Sequence, residues 1–102
     1  MKLAQIRDFL AVIECGSISA TARKLGVSQP GLTKSLGALE AELGAALLKR
    51  TPTGVTLTRQ GQAFHVRARA GYAELAKAQE ELAAGTKAQV ALGFGPFFAA
   101  QI

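Results

Sequence analysis

Apolar residues return at helical intervals along most of this chain. Leu3, Ile6, Phe9, Leu10 and Ile13 are spaced as one face of a first helix, with Lys2, Arg7, Asp8 and Glu14 mostly on its other faces. Cys15 and Gly16 end it, Gly16 being suited to a left-handed cap. Ser19 is expected to cap a short second helix running to about Leu25, with Ile18, Ala22 and Leu25 inward and Arg23 and Lys24 in solvent. Gly26-Val27-Ser28 predicts a tight turn in which Val27 plugs the core and Ser28 caps a third helix opened by Gln29-Pro30-Gly31. Leu32, Leu36, Leu39 and Leu43 form the buried stripe of that helix, and Gly44 closes it. Gln29, Thr33 and Lys34 lie off the stripe near its start, and Glu40 and Glu42 lie toward its end. This polarity opposes the helix dipole, and a stability rule broken at exposed positions points to function.

The period then changes. Leu47-Leu48-Lys49-Arg50 and Val55-Thr56-Leu57-Thr58 flank Thr51-Pro52-Thr53-Gly54, the pattern of a small hairpin with Val55 and Leu57 inward and Thr56 outward. Thr58 is placed to cap a long helix from about Arg59 to Gly85, roughly 40 Å at 1.5 Å per residue. Phe64, Ala68, Gly71, Leu75, Ala78 and Leu82 mark its apolar stripe. That stripe either folds back on the preceding residues or pairs with a second chain, which Gly71 and the alanines would let approach closely. Gly85-Thr86-Lys87 is expected to close the helix. Val90 to Gly95 reads as one buried strand, followed by a turn at Pro96 and an apolar segment containing Phe97, Phe98 and Ile102.

Composition adds three constraints. Hydrophobic residues make up 49% of the 102, but 20 of them are Ala, so the larger hydrophobes support only a modest core. One cysteine, Cys15, and one histidine, His65, offer neither an internal disulfide nor a convincing metal site, so no metal and no cofactor are expected. No 18-residue apolar run predicts a membrane span, and the charged start is unlike a signal peptide, so the expected location is cytoplasmic. The net charge of +5 is concentrated in residues 1–60, which hold eight Lys or Arg and four Asp or Glu. That bias fits either a polyanionic partner or an ordinary soluble surface.

The predicted fold class is mainly α: a winged helix-turn-helix followed by a long linker helix. In such an arrangement the third helix enters the major groove of DNA with its first turns at base edges, while the second crosses the backbone. Gln29 can bond adenine, Thr33 can serve several base edges, and Lys34 can reach guanine or phosphate. Ser19 and the start of the second helix can meet a phosphate, and Arg50 with the Thr51–Gly54 turn can meet flanking phosphates or the minor groove.

The chain resembles the N-terminal domain of LysR-type transcriptional regulators. The resemblance is carried by Phe9-Leu10-Ala11-Val12, Gly16-Ser17-Ile18-Ser19, Ala22-Arg23-Lys24-Leu25, Val27-Ser28-Gln29-Pro30 and Leu32-Thr33-Lys34. It continues through Leu39-Glu40, Glu42-Leu43-Gly44, Leu47-Leu48, Arg50-Thr51 and Leu57-Thr58 to Gly61. It implies a sequence-specific regulator acting on double-stranded DNA. Residues 1–58 would be the DNA-binding domain, 59–87 a dimerisation helix, and 88–102 the start of an effector-binding domain. It further implies a homodimer through the linker helix, a homotetramer for the full-length protein, and a small-molecule inducer held by the C-terminal domain. DNA contacts carry over to Ser28, Gln29, Pro30, Thr33 and Lys34, and to Arg50 and Thr53 on the wing. Thr33 and Lys34 stand where Ser and Arg are usual in the family, and Thr53 where a basic residue is frequent. Lysine lacks the rigid two-pronged donor of arginine, so base readout at Lys34 is expected to be weaker or turned to phosphate. A winged helix that works only through protein contacts is the rival reading, and the polar or basic face from Gln29 to Lys34 speaks against it. An enzyme finds no support: His65 has no catalytic partner at suitable spacing, and Gly93-Phe94-Gly95 is too short for a phosphate loop.

Overall fold

A computed structural model describes residues 1–92, with side chains described to residue 84. The elements are α1 (Leu3–Cys15), α2 (Ile18–Leu25), α3 (Gln29–Leu43), β1 (Leu48–Thr51), β2 (Gly54–Leu57) and α4 (Arg59–Leu92). The chain divides into two compact units, Met1–Tyr72 and a second beginning at Ala73. The first therefore takes in the opening turns of α4 as well as the winged helix-turn-helix.

Within the first unit α1, α2 and α3 bury one side each. Phe9 and Val12 from α1, Ala22 from α2, Leu32, Leu36 and Leu39 from α3, and Leu47 form the core. Val55 and Leu57 of the hairpin pack against it, as their alternation predicts. Val27 does not plug this core. It is 41% exposed, because the turn ends with the Val27 N–H donating to Ala22 O at 3.0 Å and the side chain left outside. Thr21 of α2, by contrast, is fully buried. Its hydroxyl is satisfied by donating to Ser17 O at 2.7 Å, leaving its methyl to pack.

The second helix is capped two residues earlier than Ser19. Ser17 is extended (φ −154°) and its Oγ accepts from Ala20 N–H at 3.1 Å, so Ser17 is the cap and Ser19 lies inside α2, exposed. The expected cap of α3 is in place: Ser28 Oγ accepts from Gly31 N–H at 3.0 Å.

The strands β1 and β2 pair antiparallel with Leu48 opposite Leu57, Arg50 opposite Val55 and Thr51 opposite Gly54, leaving Pro52-Thr53 at the tip. The hairpin is tied to the helices at both ends. At its base Glu40 Oε2 accepts from Leu47 N–H at 2.6 Å and Leu48 N–H at 3.0 Å. Near its tip Val55 N–H donates to Gly16 O at 3.0 Å. Gly54, at φ +148°, lies so close to that carbonyl that a Cβ would overlap it. Glu40 is thus half-buried and spent on the hairpin, rather than displayed as one of two exposed acids on α3.

The start of α4 is fixed in the same way. Thr58 Oγ1 accepts from Gly61 N–H at 2.9 Å, and Thr58 N–H donates to Leu47 O at 3.0 Å. A Cβ on Gly61 would overlap that same carbonyl, which explains a glycine that helix propensity alone does not. Phe64 then meets the edge of Phe9 at 5.5 Å between ring centroids, and Ala68 is buried at 7% exposure. His65 is half-buried with its ring 6.0 Å from Phe9, not a plain surface residue.

The second unit is described by helix alone. Gly85 does not close α4, which runs on to Leu92, so Val90, Ala91 and Leu92 are helical where a strand was expected. A single glycine costs a helix only about 1 kcal/mol relative to alanine, too little to stop one that reaches it through Ala83-Ala84. The remainder of the expected strand, the Pro96 turn and the apolar segment from Phe97 to Ile102 lie outside the described residues.

Candidate nucleic-acid interface

Gln29, Pro30, Thr33 and Lys34 are all exposed on the first two turns of α3. They are exposed because the Leu32, Leu36 and Leu39 stripe turns the opposite face into the core. Arg50, on the adjacent strand, completes the arrangement: these five residues line a single open concavity. Arg50 Nη2 donates to Thr33 Oγ1 at 3.5 Å, reaching from the wing to the recognition helix. A second hollow, lined by Thr33, Gly37, Arg50, Val55 and neighbours, continues beneath it. A third runs along the wing past Ser17, Thr51, Thr53 and Gly54, again bordered by Arg50.

Glu40 borders the second hollow, but the main concavity carries two cations, an amide and a hydroxyl and no carboxylate. Its chemistry suits a polyanion with hydrogen-bonding edges. Among the described residues Lys34 makes no ion pair, whereas Arg7 and Lys24 face Asp8 and Glu14 at 2.9 and 3.9 Å. Ser28 contributes less directly, since its Oγ is engaged with Gly31 N–H. Thr53 is exposed at the wing tip, its Oγ1 at 3.3 Å from Thr51 Oγ1. Ser19 borders none of these three hollows.

The meeting of Arg50 with Thr33 brings together residues 17 apart in sequence, which no local pattern signals. The register that makes it, Arg50 opposite Val55, is set by the two-residue tip, whereas the alternation of Val55 and Leu57 gives only the face each side chain takes. On α4 the expected stripe divides. Phe64 and Ala68 pack on their own chain, while Gly71 has no atom within 4 Å of a built Cβ and Leu75 is 55% exposed.

Residues 3–62 match the family model described as "Bacterial regulatory helix-turn-helix protein, lysR family". The chain belongs to that family. Among curated LysR-family relatives, the HTH-type transcriptional regulator TcbR of Pseudomonas sp. (strain P51) is 47% identical over 64 residues. That alignment covers 63% of this chain and 22% of TcbR, so the chain spans about a fifth of the length of such relatives. Among solved structures, the DNA-binding domain of CbnR in complex with DNA is 38% identical with a TM-score of 0.76, over 84% of this chain and 99% of that one. The corresponding domain of BenM with benA site 1 DNA is 34% identical with a TM-score of 0.70, over 85% and 96%.

Among the described residues, no group of three or more His, Cys, Asp or Glu could hold a metal ion. No described helix is long and apolar enough to cross a membrane.

Proposed function

We propose that this chain is the DNA-binding and dimerisation part of a LysR-type transcriptional regulator acting in the cytoplasm. It would lay α3 in the major groove of double-stranded DNA. Gln29 and Thr33 would meet base edges, and Lys34 a guanine or a phosphate. Arg50 and Thr53 would contact the flanking backbone or minor groove, and Ser28 and Pro30 would set the entry of the helix. Ser19, near the start of α2, would lie along the phosphates. The observation that carries this reading is the convergence of Gln29, Pro30, Thr33, Lys34 and Arg50 on one exposed concavity free of carboxylates. The relatives support a regulator rather than an enzyme.

Dimerisation would use the part of the α4 stripe not spent on the core, from Gly71 through Leu75 and Ala78 to Leu82. A longer protein would add a C-terminal domain for a small-molecule inducer and assemble as a tetramer. The test is selection of bound duplexes from a random pool. A palindromic site, bound with an affinity that falls linearly with salt on logarithmic axes, is expected. Lys34→Ala should shrink the salt slope by about 1 if the lysine lies on a phosphate. Equal affinity for every sequence would refute the proposal.

A further inference from the structure

The three-helix unit buries one carboxylate that the DNA-facing surface does not use. Asp8 is only 6% exposed, on the side of α1 that meets α3. A carboxylate so far from water is tolerated only when its oxygens are bonded and its charge is matched. Arg7 supplies the charge, its Nη2 and Nε donating to Oδ1 at 2.9 and 3.2 Å. The other oxygen, Oδ2, accepts from Ser35 Oγ at 2.7 Å, across 27 residues of sequence. Ser35 directly follows Lys34 on the recognition helix.

The direction of this bond gives it meaning. At about 100° per residue, Ser35 lies about 60° to one side of Leu32 around α3, and Glu40 about 80° to the other. Thr33 is on the Glu40 side, next to the wing. The core stripe alone leaves a helix some freedom to roll, because leucines pack without direction. A charge-assisted hydrogen bond is directional and short. Asp8 ties one flank of α3 and Glu40, through Leu47 and Leu48 N–H, ties the other.

We propose that Asp8 and Ser35 are positioning residues that fix the roll of α3 about its axis and so set which edges Gln29, Thr33 and Lys34 present to DNA. This rests on the DNA-binding reading above. Neither residue needs to touch the nucleic acid. Their effect is on discrimination between sequences, which depends on geometry, more than on the phosphate contacts that hold any duplex.

The experiment compares the unaltered chain with Ser35→Ala, Ser35→Thr, Asp8→Ala and the double variant Asp8→Ala/Ser35→Ala. Each is titrated with a duplex recovered by selection and with a random duplex of the same length. Ser35→Ala leaves Asp8 Oδ2 without its donor but places the best helix former at that position, so its fold is checked by circular dichroism; a purely structural role lowers both affinities alike and leaves their ratio unmoved. Positioning predicts that this ratio falls about threefold to tenfold in Ser35→Ala and Asp8→Ala. It also predicts that the double variant loses no more than either single one, and that Ser35→Thr, which keeps the hydroxyl, restores the ratio. An unchanged ratio in Ser35→Ala, or strictly additive losses, overturns the inference while leaving the function intact. If the unaltered chain itself shows no preference, the function falls and the inference with it.

Discussion

Glu40→Ala is the substitution whose cost the structure defines most closely. The Glu40 carboxylate accepts two backbone N–H groups, those of Leu47 and Leu48, at 2.6 and 3.0 Å. Leu47 is 2% exposed, so water does not readily replace the lost acceptor there. An orphaned buried donor costs about 1–3 kcal/mol, and charge-assisted bonds fall toward the upper end. Taking about 2 kcal/mol for the Leu47 N–H and about 1 for the half-buried Leu48 N–H gives a loss of about 3 kcal/mol. For a domain of this size each kcal/mol moves the midpoint by about 4–8 °C, so thermal unfolding followed by circular dichroism should shift down by about 15 °C. Glu40→Gln keeps one acceptor oxygen without the charge and should lose only about 1 kcal/mol. A loss below about 0.5 kcal/mol in Glu40→Ala would show that the strand start does not depend on this carboxylate, and the reasoning would fail.

Two further outcomes follow from the same packing. Gly61→Ala should destabilise by more than about 2 kcal/mol, against the gain of about 1 kcal/mol expected in an ordinary helix, because the added methyl meets Leu47 O; denaturant unfolding that shows a gain would contradict the contact. Leu75→Asp on the exposed part of α4 should shift sedimentation from dimer to monomer at micromolar concentration while leaving the melting of the first unit in place; a dimer unaffected by the change would move the interface elsewhere.

The helix-turn-helix was legible because its signals are local. Ser28 before Gln29-Pro30 and the leucine spacing of α3 specify that helix and its exposed face without reference to anything distant. The same holds for Gln29, Thr33 and Lys34, whose exposure is the complement of the leucine stripe. What escaped notice depended on partners far away in sequence. Asp8 and Glu40 look like surface acids until Ser35 and the Leu47-Leu48 amides are brought to them. Gly61 could be flagged as odd but not explained, since its reason is a carbonyl fourteen residues earlier. Ser17 and Ser19, two residues apart, offer the same capping chemistry in sequence, and only the backbone angles make Ser17 the cap. Phe64 and Ala68 share a helical face with Leu75, and spacing does not say where the core stops covering that face.

The double attachment of the hairpin restricts how its length can vary. Between the Glu40 tie at the base and the Gly16 tie near the tip, every position has a partner across the ladder. One residue gained or lost inside either strand would invert the pleat beyond it and swing Arg50 away from Thr33. Within the hairpin, chain can be added without disturbing either tie only in the tip between the last paired residues, Thr51 and Gly54. Retargeting this wing toward a different flanking sequence is therefore a matter of exchanging side chains, or of lengthening the tip between Thr51 and Gly54, and grafting a strand of another length would displace the residue that links wing to helix.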